Sequence, residues 1–180
     1  MRIIAGSRKG ARIFAPKGRD TRPTSDRIRE AAFNLIGPVD GAAVLDIYAG
    51  SGAMALEALS RGAASAVLVD SDRSACRTID RNLAKLELSG AEIVCDDVLR
   101  FVAAERRRFD LILVDPPYEM VESLAMRLTP HLPAVLAESG LVVFESAAGF
   151  EPQLPPLRTR TSRRYGSGRV TLLEHPGAAG

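Results

Sequence analysis

The sequence predicts an α/β fold, a mostly parallel sheet covered by helices on both sides. From residue 43 onward, short apolar runs alternate with stretches of helical periodicity, the signature of repeated strand–helix units. One of those runs, Leu111–Val114, is continuously apolar, as a strand buried on both faces should be. Four strand-like runs each end in an acid, at Asp46, Asp70, Asp97 and Asp115. In such sheets ligands bind beyond the carboxyl ends of the strands.

The elements follow in order. Arg2-Ile-Ile-Ala and Ala11-Arg-Ile-Phe-Ala are strand-like, with a basic turn from Gly6 to Gly10 between them. They predict a small β-hairpin extension over residues 1–20, ahead of a main domain over 21–180. Thr24 or Ser25 can cap a helix that reaches about Leu35, and Gly37-Pro38 stops it. Ile28, Ala31, Ala32, Leu35 and Ile36 fall at helical spacing. The core begins with strand 43–47 and helix 53–61, closed by Gly62. Strand 66–70 precedes helix 73–86, which sets Cys76, Ile79, Leu83 and Leu86 on one face and Arg77, Arg81 and Lys85 on another. Strand 92–95 leads to Asp96-Asp97 and a short helix 98–105. After Arg106–Arg108, read as a solvated loop, comes strand 111–114. Helices from about Val121 and Pro133 fill the gap to strand 141–144. Arg158–Arg164 and Arg169–Leu173 read as two strands around a hairpin turn, Tyr165-Gly-Ser-Gly168.

The bulk numbers bound the function. With 180 residues the chain suffices for one domain with a buried core, and 46% hydrophobic and 26% charged content are ordinary globular values. No apolar run approaches the ~20 residues of a membrane span, and Met1-Arg-Ile-Ile-Ala-Gly lacks the apolar core of a signal peptide, so a cytoplasmic protein is expected. Cys76 and Cys95 lack metal-ligand spacing and read as buried reduced thiols; no metal is expected. Net charge is +2 but unevenly spread. Residues 1–30 hold nine Lys/Arg against three Asp/Glu, residues 31–157 ten against eighteen, and residues 158–170 five Arg and no acid. Basic ends around an acidic middle suggest that both ends meet a polyanion.

The stretch Ala43-Val-Leu-Asp-Ile-Tyr-Ala-Gly-Ser-Gly52 is the centre of the sequence. Glycines after a strand let the backbone turn tightly and bring peptide N–H groups at a helix start against a ligand. Gly50-Ser-Gly-Ala-Met-Ala55 also fits the loose dinucleotide pattern, with Asp70 about 20 residues on, so a nicotinamide dehydrogenase is one reading. Asp46 opposes it, because a carboxylate four residues before the first glycine suits a cation and would repel a diphosphate. Asp115-Pro-Pro-Tyr118 opposes it too, having no evident part in hydride transfer. As chemistry, that motif is a clamp for an amino group on a planar ring. Prolines lack N–H, so the backbone offers carbonyl acceptors, and Asp115 adds a charged one. Two acceptors orient an exocyclic –NH₂ and draw its lone pair toward an electrophile. Tyr118 supplies a stacking face, worth ~1–3 kcal/mol.

These motifs resemble those of class I S-adenosylmethionine-dependent methyltransferases that act on amino groups, and more closely the RsmD family of 16S ribosomal RNA guanine-N2 methyltransferases. The resemblance covers nearly the whole chain: Met1-Arg-Ile-Ile-Ala-Gly6, Thr21-Arg-Pro-Thr-Ser-Asp-Arg27, Phe33-Asn34, Leu45-Asp-Ile-Tyr-Ala-Gly-Ser-Gly52, Leu56-Glu-Ala-Leu-Ser-Arg-Gly-Ala63, Asp115-Pro-Pro-Tyr118 and Arg163-Arg-Tyr-Gly166. The Thr-Arg-Pro-Thr and Arg-Arg-Tyr-Gly segments are its most specific parts. It implies a Rossmann-like fold with a seven-stranded sheet and S-adenosylmethionine as cofactor.

It also implies roles. Gly50 and Gly52 would pass under the methionine part of the cofactor, and Asp46 would face its ammonium. Tyr48 stands where the family has Phe. Asp70, often Glu in the family, would take the ribose hydroxyls. Asp97 would take the adenine amine, although the family tends to have Gly at Asp96, which leaves both acids open. Arg22 or Thr24 could close over the cofactor. Asp115, Pro116, Pro117 and Tyr118 would hold the target guanine, swung out of its stack. Arg8, Lys9 and Arg12 at one end, and Arg163, Arg164 and Tyr165 at the other, would hold small-subunit ribosomal RNA, free or in an assembling particle. The protein would act as a monomer. The alternatives are an amino-methyltransferase for adenine or for a protein glutamine, where the motif more often begins with Asn, and a non-catalytic RNA-binding module on the same fold.

Overall fold

The computed structural model describes residues 1–16 and 26–177. Its regular elements are helix α1 (Asp26–Ile36), strand β1 (Ala43–Ile47), α2 (Ala53–Ser60), β2 (Ser65–Val69), α3 (Arg73–Leu86), β3 (Ala91–Val94), α4 (Val98–Ala104), β4 (Phe109–Val114), α5 (Val121–Leu128), α6 (Leu132–Val135), β5 (Leu136–Ala147), β6 (Arg158–Tyr165) and β7 (Gly168–Glu174). Seven strands form one sheet in the order β3-β2-β1-β4-β5-β7-β6. The first five run parallel. β7 lies antiparallel to β5, and β6 antiparallel to β7.

The alternation of side chains along the strands sorts the core into two layers. Val44, Leu68, Leu111, Leu113, Val143 and Leu172 face α1, α2 and α3. Leu45, Ile47, Val67, Ile112, Val114 and Phe144 face α4, α5 and α6. Both faces are therefore covered, which is why the strands carry apolar residues without interruption.

Most boundaries fall where the sequence puts them, and β5 is the main exception. It runs from Leu136 rather than Leu141, because the helix expected from Pro133 ends at Val135 and Glu138-Ser139-Gly140 continues the strand across an irregularity opposite Phe109. Gly140 allows this: a Cβ there would stand 2.9 Å from the Phe109 carbonyl.

The expected hairpin extension is reduced to one antiparallel bridge, Arg2–Arg12, around a 3-10 turn at Gly6–Arg8. Three backbone bonds close it: Ile3 N–H to the Ala11 carbonyl (2.9 Å), Gly10 N–H to Ile3 (2.8 Å) and Ile13 N–H to Met1 (3.2 Å). This segment is docked on the domain. Ile3 and Ile13 are buried with Ala53, Leu56 and Leu86, in the groove between α2 and α3. Burying an isoleucine is worth about 1.5–3 kcal/mol, more than a single bridge can supply. The proposed division at residue 20 lies outside the described residues.

Glu57 anchors the same segment from α2, whose buried face is otherwise apolar except for Ser60. Fully buried, it accepts hydrogen bonds from the N–H groups of Ile4 (2.7 Å) and Ala5 (2.9 Å) and from Arg61 Nε (2.8 Å). The buried Arg29 of α1 lies 3.6 Å from it and donates to the Arg2 carbonyl and to Asp26. The cysteines differ from expectation in one respect: Cys76 is buried, while Cys95, at the exposed end of β3, is not. Among the described residues no helix is long and apolar enough to cross a membrane.

Candidate active site

The parallel topology brings the ends of β1, β2, β3 and β4 to one edge of the sheet, and the acids with them. Asp46 projects from β1 toward α2, where its Oδ2 accepts the Ala55 N–H at 3.1 Å. It is 1% exposed. Burial pushes its carboxyl up to about 8; the Ala55 N–H opposes that, and the negative charges of Asp115 and Asp70 add to it. Three acids from three strands thus share one electrostatic environment.

The chain after β1 turns through unusual backbone. Tyr48 has φ 64° and Gly50 φ 58°. Gly52, at φ 78°, starts α2. A Cβ on Gly52 would press on Leu68 at 3.1 Å and Ile79 at 3.2 Å, so packing requires this glycine. Gly50 differs. The nearest atom to its imagined Cβ is the Tyr48 carbonyl oxygen at 3.9 Å, so this stretch of peptide faces open space. Bare peptide of that kind suits a ligand laid against it.

Asp70 holds the loop in that shape. Its Oδ2 accepts the Gly50 N–H at 2.9 Å, and its Oδ1 accepts the Asp72 N–H at 2.9 Å. These two bonds place the Asp70 carboxylate beside the glycine loop. Of the adjacent pair, Asp96 bonds to Arg100, while Asp97 caps α4 through the Arg100 N–H at 2.9 Å. The half-buried Tyr48 phenol is pushed up by burial first and then by the charge of Asp97, with Asp70 adding and Arg127 opposing. Of this pair, Asp97 is the one whose charge bears on Tyr48, and Asp96 is held by Arg100.

β4 ends at Val114, and Asp115 follows it half-buried, with Pro116 buried and Pro117 exposed. The Pro117 carbonyl accepts from the Met120 N–H at 2.9 Å as the chain enters a 3-10 turn. The Tyr118 side chain, Arg22 and Thr24 lie outside what is described. Among the described residues no group of His, Cys, Asp and Glu could hold a metal ion. A shallow hollow of about 480 Å³ between Ser65, Gly90 and Arg108 sits at the opposite, amino edge of the sheet, away from all four acids.

The expected RNA contacts separate into two groups. Arg8 is committed to the end of α3, donating to the carbonyls of Leu86 and Glu87 (3.2 Å) and pairing with the Glu87 carboxylate at 3.7 Å. Lys9 and Arg12 are exposed. Pairing of β6 with β7 puts Arg163 opposite Val170 and Tyr165 opposite Gly168, on the α1 side of the sheet, where Tyr165 packs. Arg164 points to the other side, where its Nε meets the Ala148 carbonyl at 2.9 Å. The β6–β7 turn lies beside Ala147, at the same edge as Asp115.

Asn82 escaped sequence reasoning. Fully buried in α3, it donates to the carbonyls of Ser51 (2.9 Å) and Phe14 (3.0 Å) and accepts the Phe14 N–H (2.8 Å). One amide thereby ties the glycine loop to the N-terminal segment. Its signal was a polar residue three positions after Ile79 on the apolar face of the helix; Glu57 in α2 gave the same kind of signal.

Comparison with known proteins decides the family. The family described as "Conserved hypothetical protein 95" matches residues 1–174. The chain belongs to this family, the RsmD family. Two curated members show the extent of the likeness. "Ribosomal RNA small subunit methyltransferase D" of Escherichia coli (strain K12) is 41% identical over 149 residues, covering 81% of this chain and 74% of that protein. "Putative rRNA methyltransferase YlbH" of Bacillus subtilis (strain 168) is 41% identical over 150 residues, covering 81% and 82%. The solved structure "Putative methyltransferase yhhF from Escherichia coli" superposes with a TM-score of 0.85 at 32% identity, over 99% of both chains. A more distant solved structure, "Crystal structure of SMU.776, a putative methyltransferase complexed with SAH", shares the fold at 17% identity and TM-score 0.66, covering 82% of this chain and 48% of that one. The RsmD-family sheet is thus the seven-stranded, mostly parallel class I methyltransferase sheet.

Proposed function

We propose that this protein transfers a methyl group from S-adenosylmethionine to the exocyclic N2 amine of a guanine in small-subunit ribosomal RNA, acting as a monomer in the cytoplasm on free RNA or on an assembling particle. The observation that carries the reading is the meeting of Asp46, Asp70 and Asp115 at one sheet edge beside the open peptide of Gly50, in a chain 41% identical to a small-subunit RNA methyltransferase.

The residues fit the cofactor. Asp46 is a buried carboxylate short of a cation, and an ammonium would supply one. In this reading the open peptide of Gly50 lies under the methionine part, Asp70 takes the ribose hydroxyls and Asp97 takes the adenine amine. When bound, the cofactor supplies an electrophilic methyl on a sulfonium. The chain's own work is positional. Asp115 accepts a hydrogen bond from the guanine amine, and a carbonyl of the Pro116-Pro117 backbone is the second acceptor. The two orient the nitrogen lone pair, and no covalent intermediate with the protein is needed. Lys9, Arg12, Arg163 and Arg164 contribute phosphate contacts, which place the RNA without reading its sequence.

The test follows radiolabelled methyl from S-adenosylmethionine into small-subunit RNA, DNA and protein together, with nucleoside analysis of the product. Label in N2-methylguanosine supports the reading. Label in adenine or in a glutamine side chain would replace it with one of the alternatives.

A further inference from the structure

Helix α3 carries Arg73, Arg77, Arg81 and Lys85, a cation at every fourth position. All four are exposed. At 100° per residue they lie opposite the face that buries Ala75, Ile79, Asn82 and Leu86. Like charges at this spacing destabilise a helix, so the row is opposed by the helix's own stability. Several other exposed arginines are matched with acids: Arg100 with Asp96, Arg107 with Glu92 and Glu105, Arg158 and Arg160 with Glu174. Among the described residues no carboxylate lies within ion-pair distance of the four cations on α3. Arg81 and Lys85 turn instead to the Phe14 ring, at 4.4 and 4.6 Å from its centroid.

Phe14 is 39% exposed, yet its backbone is clamped on both sides by the buried Asn82. An exposed aromatic held this firmly, with two cations on it, fixes long side chains that would otherwise lose freedom on binding. The row starts at the rim of the cofactor edge, where Asp72 caps the helix two residues after Asp70. It ends where Arg8 caps the helix's other end. Its length is about 18 Å at 1.5 Å per residue, on the order of five phosphates of a stacked strand at ~3.4 Å each.

We propose that the solvent face of α3, with Phe14 as its fixed centre, is a docking surface for the phosphate backbone of the substrate RNA. It holds a segment distant from the target base and leads it to the catalytic edge. Charge complementarity selects the occupant: a linear row of four cations, with Asp80 as the acid exposed on the same face, leaves a net positive line that suits a linear polyanion. The inference rests on the RNA-methyltransferase reading above.

The test compares the wild type with the triple variant Arg77→Gln/Arg81→Gln/Lys85→Gln, and with Phe14→Ala, using small-subunit RNA. Glutamine keeps helix propensity, and circular dichroism and SAH affinity report that fold and cofactor site are intact. In the triple variant, RNA affinity should fall at least tenfold at 0.1 M salt. The slope of log affinity against log salt should shrink by about 2–3, at ~0.7–0.9 per lost contact. KM for RNA should rise while kcat at saturating RNA stays within twofold. Phe14→Ala should lose a few-fold in affinity at unchanged slope, because the charge count is the same. An unchanged slope and KM in the triple variant would overturn the α3 surface and leave the enzyme reading standing. A wild type that transfers no methyl to RNA would overturn the enzyme reading itself.

Discussion

The Asp70 carboxylate accepts the Gly50 N–H at 2.9 Å, so the acid at the end of β2 holds the loop that follows β1. A residue expected to touch a ribose is thus also the brace of the glycine turn. Asp70→Ala should therefore lose more than one contact. It leaves the Gly50 and Asp72 donors without their acceptor, at about 1–3 kcal/mol for each that stays buried. The expected outcome is a lowered Tm together with SAH affinity reduced more than tenfold by calorimetry. Lost affinity at an unchanged Tm would mean that the brace is unimportant.

Asp115 has the opposite profile. Asp115→Ala should abolish methyl transfer and leave SAH affinity within a few-fold, because its proposed task is to orient the acceptor amine. Parallel loss of cofactor binding would remove that role.

Asp46 sets a pH dependence. Its carboxyl is raised to about 8 in the protein, while an ammonium ligand needs it ionised. Cofactor binding at pH 7 should therefore release a proton, and affinity should climb between pH 6 and 8 and then level. For the unliganded protein the sign reverses. The folded state holds a proton that the unfolded state has lost above pH ~4, so this group makes stability decline as pH rises from there to about 8. Asp46→Asn should flatten both curves, as read by calorimetry in two buffers of different ionisation heat and by urea unfolding across pH.

Glu57→Ala should take one of two carboxylate partners from the buried Arg29, leaving it Asp26, and should strand two backbone donors. Removing one partner of a buried pair costs about 3–5 kcal/mol. The loss should appear in urea denaturation, with the first residues released to protease. Wild-type protease resistance of residues 1–13 in the variant would count against this anchoring.

Gly6→Ala separates docking from stability. A Cβ at Gly6 would stand 1.7 Å from the Ser60 carbonyl oxygen, so the N-terminal segment must move off α2. RNA affinity should fall with SAH affinity largely kept, because Gly6 touches the C-terminal end of α2 and not the glycine loop at its start. Unaltered RNA binding would release the segment from its proposed role.

The sequence by itself determined the strand–helix order, the covered parallel sheet and the positions of Asp46, Gly50, Gly52, Asp70 and Asp115. Those follow from local periodicity, turn chemistry and the rule that parallel strands present their carboxyl ends together. Only the tertiary structure decided that residues 1–13 are docked in the groove between α2 and α3, that Arg8 caps α3, that Asp96 is held by Arg100, and that Asn82 and Glu57 tie distant segments. Each depends on which partner lies across space, over separations such as the 68 residues between Phe14 and Asn82. A buried polar residue in a helix announces in sequence that it has a partner, but the packing of the other elements chooses it.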